Sequence, residues 1–333
     1  MSRLQQTPFS ILDLAPIRVD EASPVHALNR SLSLAQQAER LGFQRFWVAE
    51  HHNMDGIASA ATSVVLGYLA AGTTRITLGS GGIMLPNHAP LVIAEQFGTL
   101  AALYPGRIEL GLGRAPGADQ ATAHALRRDR LGSADDFPAD VEELERLLGP
   151  RQPGQRVIAM PGVNSNVPIW LLGSSLFSAQ LAAAKGLPYA FASHFAPRYV
   201  HEAIRLYREN FRPSEVLAEP YVMIGVPLVA ADTDEEAEFL ATTSFQRVLN
   251  LMRGQSLVMQ PPVPSMKGLW LPHEQDAVGS FLGMAVIGGP EKVRARLDIL
   301  LEQTQADELI FAGDIYDEAK RAHSFEILAG LKH

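Results

Sequence analysis

The chain has 333 residues, of which 47% are hydrophobic and 19% charged, so it has enough apolar material for one large core or two smaller ones. Its formal charge is −8 at pH 7 and it has no long basic run, which argues against a nucleic-acid-binding surface. The absence of cysteine excludes disulfides, thiolate nucleophiles and cysteine-based zinc sites.

Short apolar runs alternate along the chain with segments of helical periodicity. The first run, FSILDL, precedes a helix predicted over about 26–41, where apolar residues recur at steps of three and four until Gly42. Further helices are predicted over about 59–71, from Pro90, near 138–148, from Ser174 to before Gly186, over 197–210, from Pro290 and up to about 329. The eight predicted strands cover 9–14, 46–49, 76–81, 107–113, 169–173, 189–192, 221–230 and 308–312.

Strands that are separated by helical segments indicate parallel pairing with right-handed crossovers. Eight such units are typical of a closed (β/α)₈ (TIM) barrel of the α/β class, here a single domain over 1–333, and an open doubly wound sheet is the alternative. Two long polar connections, 114–137 and about 253–284, need a functional reason in a compact domain. In a barrel such βα loops form the active-site face, so 253–284 is a candidate lid.

The segment FWVAEHHNM places Glu50, His51 and His52 directly after the second predicted strand, at the catalytic end of a barrel. Acid–base work or substrate contact is the favoured interpretation of these residues. A metal site and a solvated loop are the alternatives. Adjacent histidines on a strand point in opposite directions, which disfavours a shared metal ion.

Glycines follow the third strand in GSGGIMLPNHAP, where Gly79, Gly81 and Gly82 would let a flat ligand approach the backbone. A plain flexible turn is the alternative. His88 is a third histidine that could face the same pocket.

Two further segments could bind an anion. Arg114 follows the fourth strand and is either a surface residue or a cation for a ligand. The fifth strand leads into a helix through Gly173, Ser174 and Ser175, with Ser178 one turn later, which suits either an anion cradle or ordinary N-capping. Together with the glycines, these residues suit a flat ligand that carries a phosphate, such as flavin mononucleotide (FMN).

Across nearly its whole length the sequence resembles the bacterial luciferase-like flavin-dependent monooxygenase family, in a poorly characterised bacterial branch. The segments that carry the resemblance occur in family order: AEHHN (49–53), LGSGGIMLPNHAPLVIAEQ (78–96), LYPGRIELGLGRAPG (103–117), PIWLLGSS (168–175), VIGGPEKV (286–293) and ADELIF (306–311). The resemblance implies a (β/α)₈ barrel, usually a homodimer, that uses reduced FMN and O₂ to oxygenate a small organic substrate. The resemblance implies a separate flavin reductase as partner. No nucleic acid or membrane partner is expected.

The resemblance also implies roles for single residues. His51 matches the histidine that acts near the flavin–oxygen adduct, with Glu50 and His52 beside it. Ser80-Gly81 matches a dipeptide that often has a non-proline cis bond beneath the flavin ring. Arg114 matches the phosphate-binding arginine. Ser174, Ser175 and Ser178 match the phosphate-contacting positions after the fifth strand, and Gly173 before them is counted with the cofactor-binding residues.

Three alternatives stay open on the same residues. A deazaflavin-dependent dehydrogenase would share the barrel and need no oxygen. A flavin-binding protein without turnover would share the cofactor site, and a metal-dependent hydrolase would use the histidines as ligands. No signal-peptide pattern and no apolar run of about 18 residues occurs, so we expect a cytoplasmic protein.

Overall fold

The computed structural model describes residues 2–115, 120–126 and 136–332. The strands of this part are β1 Phe9–Asp13, β2 Arg45–Val48, β3 Thr77–Ser80, β4 Ile83–Met84, β5 Ile108–Gly113, β6 Ile169–Gly173, β7 Tyr189–Phe191, β8 Val222–Ala230, β9 Val286–Gly288 and β10 Glu308–Ala312. The helices are α1 Arg3–Gln6, α2 Val25–Leu41, α3 Thr62–Ala71, α4 Pro90–Leu103, α5 Gln120–Leu126, α6 Phe137–Leu148, α7 Leu176–Lys185, α8 Val200–Asn210, α9 Asp234–Met252, α10 Pro272–Phe281, α11 Pro290–Thr304 and α12 Glu318–Gly330.

Eight of the strands close into a parallel barrel in the order β1-β2-β3-β5-β6-β7-β8-β10, because β10 pairs with both β8 and β1. This closure confirms the predicted (β/α)₈ barrel and excludes the open sheet. All eight predicted strands are present, and each end lies within one residue of its predicted position. The two additional strands are short: β4 pairs with β5, and β9 pairs with the last residues of β8.

The helix predictions are less complete. Gly42 and Gly186 end α2 and α7 in the left-handed conformation, and Pro90 and Pro290 begin α4 and α11, as predicted. The sequence analysis missed α9 and placed α10 inside a connection. A start signal for α9 was available, since Thr233 caps it by accepting from the Glu236 amide at 3.2 Å and acidic residues fill its first turn.

Alternate strand residues point into the barrel, and two layers of side chains fill it. Trp47 and Trp170 meet edge to face at 5.3 Å in an apolar layer that also contains Leu12, Ala190, Met223 and Ile310. Below them, Arg45 pairs with Glu109 at 3.1 Å and with Glu308 at 3.0 Å. Burial outweighs the Arg45 charge and raises the pKa of both carboxyl groups.

At the carboxyl ends of the strands the inward positions are small. A Cβ on Gly81 would lie 2.7 Å from Leu12 Cδ1 and 3.1 Å from the Trp47 ring, so this glycine faces the same interior. Ala49 continues the inward side of β2. Small residues at these positions let the Leu12 and Trp47 side chains pack closely against the strand ends. Within the described ranges no helix is long and apolar enough to cross a membrane.

Candidate active site

The end of β2 divides the three residues that were predicted to be catalytic. Phe46 and Val48 pack outside the barrel, whereas Trp47 and Ala49 pack inside. Continued alternation turns Glu50 outward and His51 inward. Their surroundings agree, because Glu50 bonds to His52 and His88, whereas Arg247 of the inward side has the largest effect of any charged residue on His51.

Glu50 forms the centre of the outward cluster. Its side chain is 1% exposed, and its Oε1 lies 2.7 Å from His52 Nε2 and 2.8 Å from His88 Nε2. The Met84 amide donates to Oε2 at 3.1 Å. Burial alone would raise the pKa of Glu50, but these hydrogen bonds outweigh it and the pKa lies below its ordinary value. A carboxylate only accepts, so both histidines carry a proton on Nε2.

Glu50, His52 and His88 could in principle hold a metal ion. The distances of 2.7 and 2.8 Å between the oxygen and the two nitrogens are, however, those of direct hydrogen bonds. Ligands of a tetrahedral zinc ion at about 2.1 Å lie roughly 3.4 Å apart. The geometry favours a hydrogen-bonded cluster that ties β2 to the segment after β3.

The turn between β3 and β4 contains the predicted cis bond, one residue later than predicted. The non-proline cis peptide joins Gly81 and Gly82 and not Ser80 and Gly81. The Ser80–Gly81 peptide remains in the sheet, because the Gly81 amide donates to Val48 O at 2.9 Å. The Ser80 hydroxyl is fully buried and exchanges hydrogen bonds with the Gly111 backbone, at 2.8 Å as donor and 3.0 Å as acceptor. Ser80 therefore fixes the strand end, and the glycines form the surface of the turn.

A second polar cluster lies on the inward side of the mouth. His51, His194 and Asp314 each continue the inward alternation of their strands, β2, β7 and β10, and Arg247 of α9 lies near His51 and Asp314. Arg247 Nη1 donates to Asp314 Oδ1 at 2.8 Å. Sequence reasoning missed His194, Arg247 and Asp314. The alternation of inward and outward positions could have identified His194 and Asp314. Arg247 could not be identified in this way, because it lies on α9, which was not predicted.

Both histidines of this cluster are neutral at pH 7. Burial, with the charge of Arg247 next in weight, lowers the pKa of His51 to about 4. Burial and then His51 lower the pKa of His194 to about 4, and Asp314 opposes this. The Nδ1 atoms of both rings are buried and have no hydrogen-bond partner among the described residues. The His194 ring lies against Gly225 of β8, where a Cβ would overlap its Nδ1.

The two predicted anion-binding segments lie together. The Arg114 guanidinium stacks on the Phe177 ring at 4.1 Å, and Phe177 lies in the first turn of α7. Ser175 is the N-cap residue of α7, but its side chain makes no capping hydrogen bond, so ordinary N-capping does not describe this helix start. Ser178 is buried, and its hydroxyl lies over Gly173, where a Cβ would overlap it. Ser174 is partly buried just before the helix.

The predicted lid is docked in this structure. Between α9 and α10, Met259 exchanges backbone hydrogen bonds with Ile17 and Val19 of the loop after β1, at 2.8 and 3.0 Å. The Leu257 amide donates to Asp55 Oδ1 at 2.9 Å in the loop after β2. The other predicted long connection, 114–137, lies mostly outside the described residues, apart from its ends and α5.

Comparison with known proteins places this site in context. A family profile described as luciferase-like monooxygenase matches residues 7–308. A protein named luciferase-like monooxygenase from Escherichia coli K12 is 54% identical over 324 residues, which cover 97% of this chain and 96% of that protein. The N-acetyl-S-alkylcysteine monooxygenase of Bacillus subtilis 168 is 40% identical over 236 residues, 69% of this chain and 70% of its own length. The crystal structure of apo-MsnO8 is 35% identical, with a TM-score of 0.91 and 98% of each chain covered.

Two more distant structures share the fold alone. One is the oxygenating constituent of 3,6-diketocamphane monooxygenase from Pseudomonas putida, in complex with FMN, at 16% identity and a TM-score of 0.75 over 97% of each chain. The other is an F420-dependent secondary alcohol dehydrogenase, at 15% identity and a TM-score of 0.66 over 98% of this chain and 99% of the other. The fold therefore accommodates two kinds of flavin coenzyme.

Proposed function

The chain belongs to the luciferase-like monooxygenase family, and from this premise we propose that it uses reduced FMN and O₂ to oxygenate a small organic substrate. Two relatives at 40% and 54% identity are named as monooxygenases, whereas the F420-dependent neighbour is 15% identical. This difference favours the monooxygenase over the deazaflavin-dependent dehydrogenase.

The observation that carries the proposal is the position of Arg114 over the first turn of α7. A helix start without a side-chain cap presents backbone N–H groups and a partial positive charge, and Arg114 adds a full positive charge beside them. No ion pair joins Arg114 to a carboxylate within the described part of the chain. These groups suit the phosphate of FMN, and Ser174, Ser175 and Ser178 supply hydroxyls at the same helix start.

The remaining residues suit the other parts of the cofactor. The turn after β3 carries no side chain at Gly81 and Gly82, which suits the approach of a planar ring to its backbone. Reduced FMN, when bound, supplies the two electrons with which one atom of O₂ is reduced to water and the other enters the substrate.

His51 is the residue that we assign to proton handling at this surface. It faces the mouth, is neutral at pH 7 and has a buried Nδ1 without a partner among the described residues. A neutral imidazole can both accept and donate a proton, so His51 can hold one at the reacting centre. Glu50 and His52 act as positioning residues, since their hydrogen bonds fix the segment that contains Gly82 and Met84.

An anaerobic titration with reduced FMN, oxidised FMN and a deazaflavin coenzyme tests the cofactor. Tightest binding of reduced FMN supports the monooxygenase, and a preference for the deazaflavin transfers the protein to the dehydrogenases. Riboflavin lacks the phosphate and isolates that site. Arg114→Ala should weaken FMN binding about 10- to 100-fold and leave riboflavin binding unchanged, whereas exposed Arg156→Ala should change neither. Equal loss for both ligands would refute a phosphate role for Arg114.

Substrate and assembly are part of the proposal. The name of the 40% identical relative makes N-acetyl-S-alkylcysteines the first substrates to test, with a separate flavin reductase supplying reduced FMN.

Apolar residues are exposed on two adjacent helices, α3 and α4, at Val64, Tyr68, Val92 and Leu103. This face suits a homodimer interface. Light scattering after gel filtration should give about twice the chain mass of 36.2 kDa for a dimer. A measured mass equal to that of one chain would refute the interface.

A further inference from the structure

The inward cluster has more hydrogen-bonding capacity than its own residues use. The Nδ1 atoms of His51 and His194 are buried without a partner among the described residues. Buried polar atoms in proteins are almost always paired, because leaving one unpaired is unfavourable. The two histidines follow strands far apart in the chain, β2 and β7, yet His51 is near enough for its charge to act on His194. Two such atoms at one mouth indicate a ligand that supplies the missing partner.

Arg247 adds a positive charge to the same cluster. Its side chain is 9% exposed, and Asp314, through a single contact to Nη1, is its one hydrogen-bond partner within the described ranges. The Ser244 hydroxyl donates to Asp314 O at 3.1 Å, which holds α9 against the end of β10. A guanidinium has five N–H groups in a planar fork, so the edge that Asp314 does not use can bind a second carboxylate with two hydrogen bonds.

This cluster is separate from the phosphate-binding segments. Arg114 follows β5 and stacks on α7, whereas Arg247 and Asp314 lie beside β8 and β10. In the closed order of the barrel, β8 is the third strand after β5. A phosphate bound at Arg114 therefore does not occupy Arg247, which stays available to a different molecule.

We propose that Arg247, assisted by His51 and His194, binds a carboxylate group of the organic substrate. The proposal rests on the proposed function and narrows its substrate class to organic acids. A guanidinium and neutral imidazoles that donate from Nδ1 form a set of donors, which suits an oxygen anion. A cationic substrate group would find only Asp314, whose charge Arg247 already neutralises. The planar fork favours a carboxylate, which it can bind in a bidentate way.

The test compares an acid with its ester on the FMN-loaded protein. N-acetyl-S-methylcysteine and its methyl ester differ in the carboxylate alone, and isothermal titration measures the affinity of each. The wild type should bind the acid at least about 10-fold more tightly than the ester. Arg247→Met should remove this preference and leave ester affinity unchanged. Arg253→Met is the matched control, because Arg253 forms a similar ion pair with Glu274 at 2.7 Å outside the cluster, and it should keep the preference.

The outcomes separate the two proposals. Equal binding of acid and ester by the wild type, retention of the preference by Arg247→Met, or binding of neither probe would overturn the carboxylate site. Failure of the wild type to bind FMN in the same samples would instead overturn the proposed function. If Arg247→Met does not fold, Arg247→Lys is the variant to test. Lysine keeps a charge for Asp314 but lacks the planar fork, so the preference for the acid over the ester should fall to a few-fold. An undiminished preference in Arg247→Lys would refute bidentate binding.

Discussion

Replacing Glu50 with glutamine should destabilise the fold strongly although it changes one atom. The carboxylate accepts three hydrogen bonds, from His52 at 2.7 Å, His88 at 2.8 Å and the Met84 amide at 3.1 Å. Glutamine keeps one acceptor oxygen for the two histidines and places its NH₂ group against the Met84 N–H. Loss of that bond contributes about 1–3 kcal/mol, and loss of charge assistance in the other two contributes about 1 kcal/mol each. We expect the free energy of unfolding to fall by about 3–5 kcal/mol.

The pH dependence gives this prediction a second readout. The pKa of Glu50 is lowered in the folded protein, so the carboxylate contributes stability above its ordinary pKa of 4.5. That contribution is lost as the pH falls through the folded pKa, because the wild-type side chain then becomes protonated and neutral. The difference between wild type and Glu50→Gln should therefore be constant from about pH 5.5 to 8 and shrink towards pH 4.

Urea denaturation of both proteins at pH 7.5 and at lower pH measures this difference. Glu142→Gln is a suitable control, since Glu142 is 68% exposed and forms a surface ion pair with Lys185 at 3.5 Å. Its removal should cost less than about 1 kcal/mol. A Glu50→Gln loss below about 1 kcal/mol at pH 7.5, or a difference that grows as the pH falls, would refute the view that a buried carboxylate accepts all three bonds.

The remaining predictions concern the mouth and the segment that covers it. His51→Ala should lower product formation about 10²- to 10⁴-fold with FMN affinity within a few-fold, measured by turnover and titration, and a fully active variant would exclude His51 from proton handling. The pKa of both His51 and His194 falls from 6.5 to about 4 on folding, so the unfolded chain binds protons at a higher pH than the folded chain. As the pH falls from 6.5 to 4, each histidine should therefore lower the free energy of unfolding by up to about 1.4 kcal/mol per pH unit. A double asparagine variant that keeps the wild-type pH dependence of denaturation would contradict this. Dialysis against EDTA should leave the melting temperature unchanged, because hydrogen bonds hold the Glu50 cluster, and a marked fall would favour a metal. Gly56→Ala should undock the 253–271 segment, since a Cβ there would overlap Leu257 O, and unchanged protection from limited proteolysis would refute that contact.

The sequence was sufficient for the eight barrel strands because each is a short apolar run bounded by glycine, proline or polar residues. It was insufficient for α9, where the first turn is acidic and a search for apolar runs passed over the cap at Thr233. The position of the cis bond depended on which peptide leaves the sheet first. The Gly81 amide still donates to Val48 O at the end of β2, and a local sequence pattern does not reveal a partner so distant in the chain.

The candidate site shows the same division between local and distant information. Arg114 and the serines at the start of α7 were identifiable one segment at a time, but their proximity required the pairing of β5 with β6 and the stacking of Arg114 on Phe177. The residues that join His51 come from the last 140 positions of the chain, at His194, Arg247 and Asp314. Only closure of β10 onto β1 brings such distant positions to one mouth.

The alternation at the end of β2 separates two effects that a run of neighbouring polar residues would otherwise mix. Glu50 and His52 lie on the outward side, so their substitution should act through stability and through the shape of the turn that contains Gly82. His51 lies on the inward side with few partners to lose, so its substitution should act on chemistry while stability changes little. A catalytic defect in Glu50→Gln that disappears when the fold is stabilised, beside a defect in His51→Ala that does not, would distinguish a positioning residue from a catalytic one.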